Sequence, residues 1–193
     1  MIKRVLYTLS MLRSYRHALS KVFHTTPRRY QTTQINPQQL KESGIEILTL
    51  DFDGVLSPHG DLQPLAEIEK WLQQCIEVFG EDNIFILSNK PMPQRIEYFK
   101  QHYAGIRFIV AVKKKPYPDG LEQIIKLTGK SPTEITLVDD RLLTGVLAAC
   151  IAEVQTIYIT YPYTSVKQRP IKELFFMSLR GLERNLFRFR IIK

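Results

Sequence analysis

The chain has 193 residues, of which 44% are hydrophobic and 24% charged. That suits one globular domain with extensions and leaves no need for a second domain. The formal net charge of +8 is uneven: residues 1–41 carry eight Lys and Arg and no acid, residues 167–193 carry eight against Glu173 and Glu183, and the middle holds 11 bases and 17 acids. An acidic body with two basic ends points to an anionic partner surface, a membrane or a nucleic acid. No uncharged apolar run approaches the roughly 18–20 residues of a membrane span. Cys75 and Cys150 stand in helical patterns without metal-ligand spacing, which fits packed, reduced thiols.

Three regions follow in chain order. Residues 1–41 form a basic amphipathic extension, with Ile2, Leu6, Leu9, Leu12, Leu19 and Phe23 near one helical face and a loop or linker over 24–41. Arg13, Arg16 and His17 interrupt any secretory apolar run, whereas the acid-free, Arg- and Ser/Thr-containing start has the character of a mitochondrial presequence. Residues 42–166 alternate short β-rich runs with helical periodicity. Strands are predicted over 45–50, 83–87, 108–112, 135–138 and 154–159. Helices are predicted over 65–79, 93–103, 118–127 and 142–149, with Gly80, Gly105, Gly120 and Gly129 around the joints. Residues 167–193 form a basic amphipathic helix with Phe175, Leu179, Leu182 and Leu186 on one stripe and Arg180, Arg184 and Arg188 on another. The plain expectation for both ends is packing on the protein's own core or in a dimer; the alternative is an anionic membrane surface, where each basic residue contributes roughly 1 kcal/mol.

Strict β/α alternation implies an α/β fold, a three-layer doubly wound parallel sheet with helices on both faces. Ligands of such sheets bind beyond the carboxyl ends of the strands. Read in order, those ends are Asp51-Phe52-Asp53-Gly54, Ser88-Asn89, Lys115-Pro116 and Asp139-Asp140. Breaking a dianionic phosphate monoester needs a metal ion, a cationic side chain and a positioned nucleophile. Asp51 can attack phosphorus and leave an acyl phosphate that water hydrolyses. Asp53 can protonate the leaving oxygen and then deprotonate water. Asp140 and Asp51 offer the hard oxygens that Mg²⁺ prefers, Ser88 can donate to a phosphoryl oxygen, and Lys115 can neutralise charge on phosphate and nucleophile. An EF-hand reading fails because the twelfth loop position is Leu62.

These four segments resemble the four motifs of the haloacid dehalogenase superfamily of phosphohydrolases. Leu50-Asp51-Phe52-Asp53-Gly54-Val55 is similar to the first motif, Ser88 to the second, Lys115 before Pro116 to the third and Val138-Asp139-Asp140 to the acidic fourth. Their spacings are 37, 27 and 25 residues. Lys-Lys-Pro at 114–116, the run from Asp140 to Thr144 and the basic tail with Leu182-Glu183-Arg184 resemble the YqeG-like, type IIIA branch, which includes phosphatidylglycerophosphate phosphatases. That branch usually has Gly-Asp where this chain has Asp139-Asp140, and an acid where it has Gly145. The loss at Gly145 removes a carboxylate from the metal surroundings, and Asp139 is expected to compensate.

The resemblance implies a Mg²⁺-dependent phosphatase with catalytic Asp51, Asp53 and Lys115. Ser88, Asn89 and Lys115 are expected on the substrate phosphate, and Asp51, Asp53, Asp139 and Asp140 around the metal. With 34 residues between Asp53 and Ser88 and 26 between Ser88 and Lys115, there is no room for a large cap domain. An open site accepts a bulky substrate, and the branch implies phosphatidylglycerophosphate at a membrane. Rivals are a soluble or nucleic-acid phosphate ester, or a catalytically silent interaction protein using its basic ends. No aromatic stacking platform or recognisable module speaks for RNA. The expected location is bacterial cytoplasm with peripheral inner-membrane contact, with the mitochondrial matrix as alternative; oligomeric state is not legible.

Overall fold

Short apolar runs supply the strands of a single sheet in the computed structural model, which describes residues 2–188: β1 (Ile47–Leu50), β2 (Ile84–Ile86), β3 (Arg107–Phe108), β4 (Ile135–Asp139) and β5 (Gln155–Tyr158). The order is β3-β2-β1-β4-β5 and every pairing is parallel, with Leu48 beside Ile84 on one side and Thr136 on the other. Every residue of β1 and β4 is buried, as strands covered on both faces require. The chain runs outward from β1 through β2 to β3, then returns to place β4 on the opposite side. The order therefore reverses at β1, and the carboxyl ends of β1 and β4 flank the crevice where such sheets bind ligands.

One face is covered by α3 (Ala66–Phe79) and α4 (Pro93–His102) around Leu48, Leu50, Leu72, Ile86 and Phe99. The other is covered by α5 (Asp119–Thr128) and α6 (Leu147–Ile151) around Ile47, Phe85, Leu121, Ile124 and Leu137. A third cluster, with Leu19, Val146, Leu147, Tyr158 and Phe187, joins α1 (Ile2–Thr25), α6 and α7 (Pro170–Phe187). Only α3, a 3₁₀ turn at Glu81–Asn83 and β2 lie between Asp53 and Ser88, and only α4 and β3 between Ser88 and Lys115, so neither interval holds an inserted cap.

Four elements differ from the sequence expectation. The third strand is two residues long because the chain leaves the sheet just after it, past Ile109, whose N–H still donates to Ile86 O (2.9 Å), with Val110 and Val112 facing solvent at 63% and 95% exposure. The predicted helix over 142–149 begins as a π-helical turn, Leu142–Val146. Residues 24–41 are not a free linker. They include the end of α1, a 3₁₀ turn at Thr32–Gln34 and α2 (Pro37–Glu42), pinned where Thr32 Oγ1 donates to Val55 O (2.7 Å) and Trp71 Nε1 to Ile35 O (2.9 Å). Two isolated anchors in a polar stretch carry no periodicity, so the sequence pattern misses them.

The fourth difference is the orientation of α7. It buries Glu173, Arg180, Glu183 and Phe187 and exposes Ile171, Leu174, Phe175, Leu182 and Leu186. Its apolar stripe faces outward instead of packing on the core. Residues 189–193 of the predicted basic stretch lie outside the described residues. No helix among the described residues is long and apolar enough to cross a membrane.

Candidate active site

After Leu50 the chain must leave a fully buried strand and turn at once. Gly54 N–H donates to Ser57 O (2.7 Å), and the N–H groups of Leu56 and Ser57 donate to Phe52 O (3.0 and 3.2 Å). Gly54 adopts φ +87°, which glycine tolerates. Its Cα also lies so close to the opposite loop that a Cβ would come 2.6 Å from Asp140 Oδ2. The absence of a side chain thus lets the ends of β1 and β4 meet. Asp51, Asp139 and Asp140 each offer a carboxylate oxygen, all within 4.8 Å of one another.

Lys115 enters this cluster from beyond β3, buried, with Nζ 2.5 Å from Asp139 Oδ2 and 3.1 Å from Asp51 Oδ1. Asn89 secures it: Lys115 N–H donates to Asn89 Oδ1 (2.8 Å) and Asn89 Nδ2 to Lys115 O (3.5 Å). Asn89 therefore acts first as a clamp between the second and third segments. Ser88 is buried at the end of β2, its Oγ accepting from Lys90 N–H (3.3 Å). Both residues, with Lys115, line a cavity of about 210 Å³.

Three carboxylates, two of them buried and Asp51 nearly so, around one ammonium are short of positive charge. Burial raises the Asp51 carboxyl, Lys115 offsets part of that, and Asp139, Asp140 and Asp53 add to it, leaving Asp51 pushed up to about 8. Asp139 is also raised by burial against the opposing pull of Lys115. For Lys115 burial works downward, but Asp139 and Asp51 outweigh it and hold the ammonium above its ordinary value. An all-oxygen donor set in need of positive charge fits a hard divalent cation such as Mg²⁺.

Asp53 stands outside this cluster. Arg95 of α4 grips its carboxylate through Nη2 (2.6 Å) and Nη1 (3.2 Å), and Gly60 N–H donates to it (3.1 Å). Burial pushes Asp53 up, but the Arg95 hydrogen bonds and charge, with Gly60, hold it below the usual carboxylate range. Both oxygens of the Asp53 carboxylate are thus engaged by Arg95, apart from the Asp51, Asp139 and Asp140 group. Arg95 is itself buried, stacks 3.8 Å over the Phe52 ring and donates from Nε to Asp61 O (2.8 Å). Nothing in the helical pattern of residues 93–102 marks it.

Gly145 explains how Asp139 fits. A Cβ at Gly145 would come within 1.9 Å of Asp139 Oδ2 and 2.0 Å of its Cγ. The Asp139 carboxylate occupies the room that a side chain at position 145 would need. A second residue that sequence reasoning missed is Arg180, recognised only as part of a basic stripe. It is buried, and its guanidinium meets Asp140. Beside it Arg141 pairs with Glu183, Nε to Oε1 at 2.8 Å.

Residues 7–163 match the family described as "Mitochondrial PGP phosphatase". Among curated proteins no sequence matches. Solved structures similar to the chain include an uncharacterized protein from Corynebacterium glutamicum ATCC 13032 Kitasato, 18% identical over 72% of this chain and 96% of that one, with a TM-score of 0.47. Another is an uncharacterized protein from Listeria monocytogenes serotype 4b, 12% identical over 59% of this chain and 78% of that one, also with a TM-score of 0.47.

Proposed function

We propose, from the premise that this chain belongs to the mitochondrial PGP phosphatase family, that this phosphatase hydrolyses phosphatidylglycerophosphate through an aspartyl-phosphate on Asp51. The observation that carries the reading is the convergence of Asp51, Lys115, Asp139 and Asp140 at the carboxyl ends of β1 and β4.

In the first step an Asp51 oxygen attacks phosphorus while the bond to the glycerol oxygen breaks, and that oxygen takes a proton from the Asp53 carboxyl. In the second, water attacks the same phosphorus, its proton passes to the Asp53 carboxylate, and the bond to Asp51 breaks to release inorganic phosphate. Each turnover returns to Asp53 the proton it gave. Arg95 favours the ionised Asp53 that the second step requires, and its hold on the carboxylate has to loosen for the protonated form that the first step uses. Lys115 neutralises charge shared by the nucleophile and phosphoryl oxygens, with the Ser88 hydroxyl as a further donor and Asn89 holding Lys115 in place. Mg²⁺ bound by Asp51, Asp139 and Asp140 would supply charge stabilisation to the phosphoryl group.

A lipid substrate is supported by the outward apolar faces of α7 and of the start of α1, where Ile2, Val5, Leu6 and Leu9 are exposed among Lys3, Arg4 and Arg13. Such amphipathic, basic helices lie on anionic bilayers. A groove of about 480 Å³, lined by Tyr161, Tyr163, Met177, Arg180 and Arg184 among others, offers apolar walls and cations to an anionic head group. The family's description supports the mitochondrial matrix over the bacterial cytoplasm. The presequence-like α1 also belongs to the fold, since Leu19 is buried against the third cluster.

The test is phosphate release from phosphatidylglycerophosphate in mixed micelles and from a soluble aryl phosphate, with Mg²⁺ or EDTA. We expect Mg²⁺-dependent release from the lipid that falls by roughly 10³-fold or more in Asp51→Asn. Release from the aryl phosphate alone would discard the lipid, and release from neither would favour the interaction-protein reading.

A further inference from the structure

Arg180 lies mid-helix in α7 with its side chain 3% exposed. Its Nε donates to Asp140 Oδ2 and its Nη2 lies against the same oxygen. Nη1 is buried and finds no acceptor among the described residues, and the donors of Nη2, although it touches Asp140 Oδ2, are poorly directed towards it. The guanidinium sits over the catalytic turn, with Nη2 2.8 Å from where a Gly54 Cβ would stand. Donors of a charged group are costly to leave unpaired in a low-dielectric site. A structural ion pair alone would use them; a group awaiting a further anion would not.

Asp140 is also one of the three carboxylates suited to a divalent cation. A carboxylate that holds a guanidinium on Oδ2 serves a divalent ion less well on either oxygen, because the two positive charges repel across one small group. Asp140 offers an oxygen within 4.8 Å of one on Asp51, so a guanidinium resting on Asp140 is within reach of a phosphoryl group at Asp51.

We propose that Arg180 is a phosphate ligand released by the metal: it neutralises Asp140 while the site lacks a cation, and when a divalent ion takes Asp140 the guanidinium turns to the phosphoryl oxygens of the substrate. The second half rests on the function proposed above; the first does not. The C-terminal helix thereby completes the catalytic site, and the residue that blocks an empty site becomes part of a loaded one.

The experiment compares full-length wild type with Arg180→Gln and Arg180→Lys. Mn²⁺ affinity is measured by electron paramagnetic resonance without substrate. Removing the competing cation in Arg180→Gln is expected to tighten Mn²⁺ binding by roughly 5–20-fold, while Arg180→Lys, which keeps the charge, stays nearer wild type. Inhibition by inorganic phosphate at saturating Mg²⁺ is expected to weaken roughly 10-fold or more in Arg180→Gln, with a partial effect in Arg180→Lys. Opposite changes in metal and phosphate affinity are the signature. Unchanged or weaker Mn²⁺ binding in a folded Arg180→Gln overturns the competition, and unchanged phosphate inhibition overturns the ligand role. Should Arg180→Gln fail to give native near-UV circular dichroism, Arg180→Lys still decides: metal and phosphate affinity falling in step with stability means a structural ion pair and overturns the proposal. The Mn²⁺ arm needs no substrate, so failure of lipid hydrolysis leaves it readable.

Discussion

Helices α5 and α7 share an amphipathic period and use it in opposite senses. α5 buries Leu121 and Ile124 against the sheet and exposes Glu122, Gln123 and Lys126. α7 buries Glu173, Arg180 and Glu183 and exposes Ile171, Leu174, Phe175 and Leu182. The difference lies in what each helix covers. α5 lies on the face of a parallel sheet and meets hydrocarbon. α7 lies over the carboxyl edge, where loops present main-chain donors and charged side chains. Glu173 Oε1 accepts from His59 N–H (3.0 Å) and Ser165 N–H (3.2 Å). Arg180 meets Asp140, and Glu183 meets Arg141 and Leu143 N–H (3.4 Å). Burying ionised groups is tolerable only with such partners, and once the charged stripe turns inward the apolar one is left for another surface to cover.

The sharpest way to break this contrast is to remove a buried charge from α7. Glu183→Ala leaves Arg141 without its carboxylate and should destabilise the fold by about 3–5 kcal/mol in urea unfolding. A loss below about 1 kcal/mol would mean that the inner face of α7 is not a seat. On α5 the corresponding variant is Leu121→Ala, which opens a cavity in the sheet-facing cluster and should lose about 2–5 kcal/mol. It should leave Mn²⁺ affinity unchanged, since Leu121 touches none of the acidic cluster.

A smaller effect concerns His59, which stacks on Phe176 of α7 at 3.8 Å. Burial lowers the imidazole first, Arg180 and Lys172 lower it further, Asp53 and Glu173 pull it upward, and it comes to rest at about 4. Its Nδ1 lies 3.4 Å from Glu173 Oε2, but a neutral ring makes this no ion pair near pH 7. The unfolded chain, with an ordinary histidine near 6.5, takes up the proton first. Stability from this group is therefore full above about pH 6.5 and is lost as pH falls towards 4, by up to about 3 kcal/mol. Urea midpoints at pH 7.0 and 4.5 should move apart less in His59→Gln than in wild type; equal spacing would show that the imidazole binds its proton as readily in the fold as in the unfolded chain. The smallest expected change in stability, within about 0.5 kcal/mol, is for Phe175→Ser with Leu182→Ser on the outer stripe. The same double variant should lose co-sedimentation with phosphatidylglycerol-containing vesicles, and undiminished vesicle binding would remove α7 from the membrane contact.

The alternation of elements, the parallel sheet and the four polar strand ends were legible in the chain, because burial on both faces writes continuous apolar runs and helices write a 3.6-residue period. That Asp51, Lys115, Asp139 and Asp140 converge follows from topology once strand order is known. Boundaries were less legible: β3 spans Arg107–Phe108 and its pairing ends with Ile109 N–H on Ile86 O, although Val110 and Val112 continue an apolar run, since strand length depends on a partner to pair with. The packed segment around Thr32 and Ile35 was missed for want of any repeat.

By itself the sequence determined the alternation of elements and the polar segments that follow the strands, where the candidate residues stand, since local pattern dictates element type and alternation dictates the sheet. Only the tertiary structure decided how the charges are shared: Arg95 on Asp53, Arg180 on Asp140, Asp139 in the room left open at Gly145, and α7 turned with its charged stripe inward. Periodicity shows that a helix has two faces. Which face is buried depends on the polarity of what it meets, and for α7 that is set chiefly by residues 40 to 114 positions away in the chain.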